Sequence, residues 1–212
     1  MKLRIDSRRI AVFAIFAAMV LALEILPIPF LTDIPLFGGF TLDPTGIPIT
    51  IVFLAYGGIF SLILLPIMWV AIAYRNLIGS IFKGFAEFYT VLGLIIGKLV
   101  LRNRSQEWKV ALPTYLVFGV SFRSVGMYIT NVFFIQWLYG LTPEAAIALS
   151  ATFVIPNIIQ AFINVLIGIL IFIIIPENLK IQAGFGDSFE EKSYEEITAE
   201  EIDSSSVEDQ TD

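Results

Sequence analysis

Residues 10–26, 78–101, 110–139 and 152–175 form apolar runs of membrane length. A helix needs about 20 mainly apolar residues to cross the hydrocarbon core of a bilayer. The last run is broken only by Asn157, Gln160 and Asn164 among strongly polar residues. Hydrophobic residues make up 57% of the chain and charged ones 15%, with a mean hydropathy of +0.84. Soluble domains lie near half apolar and a quarter charged, so the balance points to lipid. The expected class is an all-α integral membrane protein.

Residues 45–74 decide the topology. They are too long for one untilted helix and short for two, and Gly57-Gly58 at their centre suits a tight turn. Lys2, Arg4, Arg8 and Arg9 precede the first helix, and Lys98, Arg102, Arg104 and Lys109 surround a later loop. The positive-inside rule places both groups in the cytoplasm, which requires an even number of crossings between them. Residues 45–74 therefore cross twice. The expectation is a bundle of six transmembrane helices at about residues 10–26, 45–57, 58–74, 78–101, 110–139 and 152–175. Both termini are cytoplasmic, and the whole is a multi-pass protein of the plasma membrane. The outer loops carry Asp33, Asp43 and Glu144, with Arg75 the one base. Two crossings of about 15 residues reach only about 22 Å at 1.5 Å per residue. Helices of that length stop short of the outer surface and border a binding cavity in many transporters. The first apolar run is too long for a signal h-region, and Pro27-Ile28-Pro29 is no cleavage site, so it reads as a retained helix.

The formal charge of −6 belongs to the end of the chain. Residues 184–212 carry eleven acids against Lys192, leaving 12 Lys and Arg against 8 acids elsewhere (13 less 1, 19 less 11). The membrane domain, residues 1–183, is thus mildly basic. The acidic tail, residues 184–212, lacks apolar periodicity and reads as disordered. The bases form no nucleic-acid footprint. Cys and His are both absent, which excludes thiol chemistry, Cys or His metal sites and imidazole acid–base catalysis.

Four groups of residues stand out as carriers of function. Ala14, Ala18 and Ala22 lie on one face of the first helix, and small residues at this spacing admit a second helix, within the chain or from a partner. Glu24, Lys83, Glu87 and Arg123 are ionisable at membrane depth, where a charge faces a cavity or a partner. Lys83 and Glu87 are four apart and in reach of each other, while Lys83 and Glu24 are also placed to snorkel from helix ends. The amides Asn131, Asn157, Gln160 and Asn164 need partners in lipid, either other helices or a ligand. Phe30, Phe37, Phe40, Tyr74, Tyr128, Phe134, Trp137 and Tyr139 form an interfacial belt or a stacking surface for a flat ligand, closed by the 27–46 loop as a lid.

Together these features resemble the substrate-binding S component of energy-coupling factor (ECF) vitamin transporters, over about residues 8–180, with the riboflavin-type members most similar. The Ala14/Ala18 face is similar to the family's contact with the transmembrane T subunit. Leu42-Asp43-Pro44-Thr45-Gly46-Ile47-Pro48 resembles the entry to helix 2, and Arg75-Asn76-Leu77-Ile78 the end of helix 3. Gly84-Phe85-Ala86-Glu87-Phe88 resembles the start of helix 4. Asn131 before Phe133-Phe134 and Tyr139, and Ile155-Pro156-Asn157, are similar to segments of helices 5 and 6. The resemblance implies vitamin capture from outside, with the T subunit and two cytoplasmic ATPases as partners and Asn131, Asn157, Gln160, Asp43, Asn76 and Glu87 as candidate ligand contacts. Gln160 stands where riboflavin-type members carry Lys, which favours a neutral ligand over an anionic one. The chain has no Gly-x-x-x-x-Gly-Lys-Ser/Thr loop, as expected if partners supply the energy.

Three other readings compete. One is an autonomous secondary transporter with Glu87 and Arg123 as relay groups. Another is an S component for thiamine, pantothenate or biotin. The third, an intramembrane enzyme, has no His and no evident base beside its serines. No metal or cofactor is expected.

Overall fold

The structure is a computed structural model and describes residues 7–26, 34–35, 40–104 and 107–185. Eight α-helices occur among them: α1 (Ser7–Ile25), α2 (Gly46–Tyr56), α3 (Gly58–Ala73), α4 (Leu77–Leu101), α5 (Trp108–Tyr139), α6 (Pro143–Thr152), α7 (Val154–Ile174) and α8 (Glu177–Gln182). Between α1 and α2 lies a short antiparallel pair, β1 (Ile34–Pro35) and β2 (Thr41–Leu42), with Ile34 opposite Leu42. Most of the expected 27–46 lid, with Phe30 and Phe37, and nearly all of the acidic tail fall outside the described residues.

Three helical stretches are long and apolar enough to cross a bilayer: α4, α5 and the α6–α7 stretch Pro143–Ile174. The helices α2 and α3 are apolar but shorter. The 19 residues of α1 include Arg8 and Arg9 at one end and Glu24 near the other. Large apolar side chains such as Val70, Leu99, Val125, Phe133 and Ile174 are exposed around the bundle. A soluble monomer avoids such an apolar girdle, and lipid accommodates it.

Local sequence explains the breaks between helices. Gly57 separates α2 from α3 with φ +89° and ψ 179°, a conformation closed to residues with a Cβ. Asn76 caps α4 by accepting a hydrogen bond from the Gly79 N–H at 2.8 Å. The helix α6 was not foreseen, although Thr142-Pro143-Glu144 gives a cap, a first-turn proline and an early acid. The Thr142 hydroxyl accepts from the Ala145 N–H at 3.4 Å. Pro156 has no N–H to return to the Thr152 carbonyl, and the helix breaks at Phe153 before continuing as α7.

Among the described residues, two of the bundle's three apolar clusters each join four helices. One joins Val20 of α1, Ile49 and Val52 of α2, Leu64 and Met68 of α3 and Val91 of α4. The other joins Phe53 of α2, Leu94 of α4, Tyr115 of α5 and Val165 and Ile169 of α7. The pair α4–α5 makes the most extensive contact. A Cβ on Gly93 of α4 would lie 2.4 Å from the Phe118 carbonyl oxygen of α5, so the two backbones meet only because residue 93 has no side chain. At one end of the bundle α8 folds back and buries Phe185 against Phe172 and Tyr56, whose hydroxyl donates to the Ala183 carbonyl at 2.9 Å.

Candidate functional site

At the end of the bundle opposite α8, a cavity of about 560 Å³ opens among α1, β2, α3, α4, α5, α6 and α7. Ile72, Ile78, Phe82, Ala86, Met127, Ile135 and Leu149 give it apolar walls. Four rings face it: Phe40, Phe82, Tyr139 and Phe153. Its polar lining comprises Glu24, Thr41, Asp43, Arg75, Asn76, Lys83, Arg123, Asn131, Thr152 and Asn157. Concave, mostly apolar walls with a few convergent polar groups are the usual form of a small-molecule site. The Thr152–Phe153 break lies on the wall, so irregular backbone at membrane depth borders a cavity rather than lipid.

Two ionic groups are built into the cavity. At the floor, Arg123 of α5 donates from Nη1 to Glu87 Oε1 of α4 at 2.5 Å and to Thr90 Oγ1 at 3.3 Å. Its Nε donates to Asn157 Oδ1 of α7 at 3.2 Å. Arg123 and Glu87 are 3% and 1% exposed, so neither charge survives there without the other.

At the rim, Lys83 of α4 pairs with Glu24 of α1 and, at 3.0 Å, with Asp43 Oδ1. The Thr45 hydroxyl donates to Glu24 Oε1 at 2.6 Å, and the Thr45 N–H to Asp43 Oδ1 at 3.0 Å. Burial pushes the Asp43 carboxyl up, but the Lys83 ammonium and the Thr45 donors outweigh it and hold the group below the usual carboxylate range. The pairing of Lys83 with Glu87 available from their spacing is not formed, because each finds a better partner on another helix. Nor do Lys83 and Glu24 snorkel apart.

Of the six candidate ligand residues, Asn131, Asn157, Asp43 and Asn76 line the cavity together. Gln160 and Glu87 stand behind the wall, each bonded to a residue that lines it. Asn131, only 4% exposed, makes no side-chain hydrogen bond to any described residue. The Asn157 amide is engaged at both ends, by Arg123 and by the Phe153 carbonyl at 2.8 Å. Of the aromatic set, Phe40 and Tyr139 reach the cavity. Phe134 packs instead on Phe82 and Phe85, and Tyr74 and Trp137 are exposed outside it. Phe82 and Phe153, missed in the sequence, lie next to Lys83 and one turn before Asn157. The Ala14, Ala18 and Ala22 face of α1 points outward, while Val20 and Glu24 point in.

No protein-family model matches the chain, and no curated protein matches it in sequence. The fold and site define a helical protein of membrane-type composition with a solute-sized cavity at one end.

Proposed function

We propose that this chain is the substrate-binding S component of an ECF-type importer. It captures a vitamin, riboflavin first, from outside the plasma membrane for uptake driven by a T subunit and two cytoplasmic ATPases. In this reading α1, α2, α3, α4, α5 and α7 are six crossings, and both termini are cytoplasmic.

The observation that carries the reading is the cavity. Its volume suits a three-ring heterocycle, rings line its sides, and Asn131 offers an amide with no partner among the described residues. The Lys83 and Arg123 clusters are already paired, so a ligand that leaves them intact meets the least opposition, while Arg75 on the lining makes no ion pair with a described residue. The outward Ala14/Ala18 face supports the partner call, since its small residues are not consumed by packing inside the chain.

Mass spectrometry of the small molecule retained through purification in mild detergent tests the reading. A bound vitamin is the expected result. Uptake in cells lacking every ATPase partner is the result that would replace it. The second reading, an autonomous secondary transporter, draws on the buried Arg123–Glu87 pair as a relay, and the same uptake assay decides between them.

A further inference from the structure

Gln160 is 1% exposed and does not face the cavity, yet its amide is fully committed. Nε2 donates to the Asp43 carbonyl at 2.7 Å and to Asp43 Oδ2 at 3.1 Å, and Oε1 accepts from the Asp43 N–H at 3.4 Å. One α7 side chain thus grips both the backbone and the carboxylate of a residue 117 positions away. Asp43 follows β2 directly, and Phe40, Thr41 and Asp43 form one side of the cavity mouth. The carboxylate of the same Asp43 meets Lys83, which also holds Glu24. Residue 43 is therefore tied to α7 by Gln160 and to α4 and α1 by Lys83.

We infer that Gln160 is a positioning residue: through Asp43 it seats the 40–45 segment at the cavity mouth, and it acts on a ligand only by controlling access. The inference shares the cavity with the function proposed above but needs no particular ligand. It can be read on the empty protein, so its failure is separable from failure of the vitamin reading.

The geometry sets what a substitution removes. Gln160→Glu is nearly isosteric but loses both donors and sets a carboxylate against Asp43. Gln160→Met keeps the length and loses all polar contact. Because the chain has no Cys, Met127→Cys installs a single thiol on the buried cavity wall. A charged methanethiosulfonate reagent reaches that thiol through the mouth rather than through detergent. The full chain, purified without ligand, is labelled in each background, with Glu107→Cys on the exposed α4–α5 connection as a control.

The expected result is a rise in Met127→Cys labelling of about five-fold or more in both Gln160 variants, the factor that goes with losing about one hydrogen bond. Labelling of Glu107→Cys stays constant. Adding Asp43→Asn to Gln160→Glu gives the new carboxylate an amide donor and brings the rate part of the way back, which a general loosening of the fold would not do. If Gln160→Glu does not fold, Gln160→Met carries the same expectation. Unchanged labelling in a folded variant overturns the inference. So does weaker ligand binding with no change in labelling, which would make Gln160 a direct ligand contact.

Discussion

Asn131 and Asn157 are both buried amides on the cavity wall, but their situations differ. Asn157 bridges Arg123 and the Phe153 carbonyl, whereas Asn131 has no partner among the described residues. A ligand that covers Asn131 desolvates its amide, and leaving a desolvated amide without a partner costs about 1–3 kcal/mol, so a bound ligand must hydrogen-bond it. Asn131→Ala is expected to weaken ligand binding by about 5- to 150-fold, at about 1.4 kcal/mol per tenfold, with little change in melting temperature. Calorimetry and thermal unfolding separate the two effects. Asn157→Ala should lower both, because it also strips Arg123 of an acceptor.

The Arg123–Glu87 pair makes a second residue-level prediction. Removing one member of a buried pair strands a charge and costs about 3–5 kcal/mol, while replacing both with apolar residues of similar size is often neutral. Glu87→Leu alone should therefore unfold at a much lower temperature than Glu87→Leu with Arg123→Met. Equal loss in the single and double variants would mean that the pair is not what holds α4 to α5 there.

At the scale of elements, α1 presents two faces with different fates. Val20 and Glu24 turn inward to the core and to Lys83, and Ala14, Ala18 and Ala22 turn outward. A ring placed on the outer face disturbs no contact within the chain. Ala14→Trp or Ala18→Trp is expected to abolish uptake yet leave ligand binding by the purified protein nearly unchanged. Loss of binding would show that the face packs within the chain, and full uptake would remove the partner interface.

The elements also show what was legible in advance. Apolar runs located α1, α4, α5 and α7, and Gly57-Gly58 located the α2–α3 break, because helix length and a positive φ are local properties. The helix α6 went unseen because its ten residues, Pro143–Thr152, are only moderately apolar and its cap signal was read as loop. The amides of α7 and the charges of α4 and α5 were recognisable as a set, since a polar group at that depth calls for a partner, although the buried Asn164 Nδ2 finds none among the described residues. Which partner each takes was not legible. Lys83 sits one turn from Glu87, and only the packing of α1 and the 40–45 segment against α4 brings Glu24 and Asp43 closer. Gln160 likewise has the depth and polarity of a cavity residue, and only its bonds to Asp43, 117 positions away, set it behind the wall.

At the scale of the whole molecule, cavity and α8 lie at opposite ends, and the exposed bases Arg8, Lys98, Arg102, Arg104 and Lys109 gather at the α8 end. In the topology proposed above, the positive-inside rule puts that end in the cytoplasm and the cavity outside. Membrane-impermeant maleimide added to intact cells should fail to label Glu107→Cys and should label it once the cells are opened. Labelling in intact cells would invert the molecule and place the cavity on the wrong side for capture.

The central claim, that this cavity binds a flat uncharged vitamin, is tested most directly by titrating the purified protein with riboflavin and following flavin fluorescence. The account predicts saturable quenching with one ligand per chain. Absence of quenching at tens of micromolar riboflavin would contradict it, and heat of binding from thiamine, pantothenate or biotin, all charged at neutral pH, would move the site to a charged ligand.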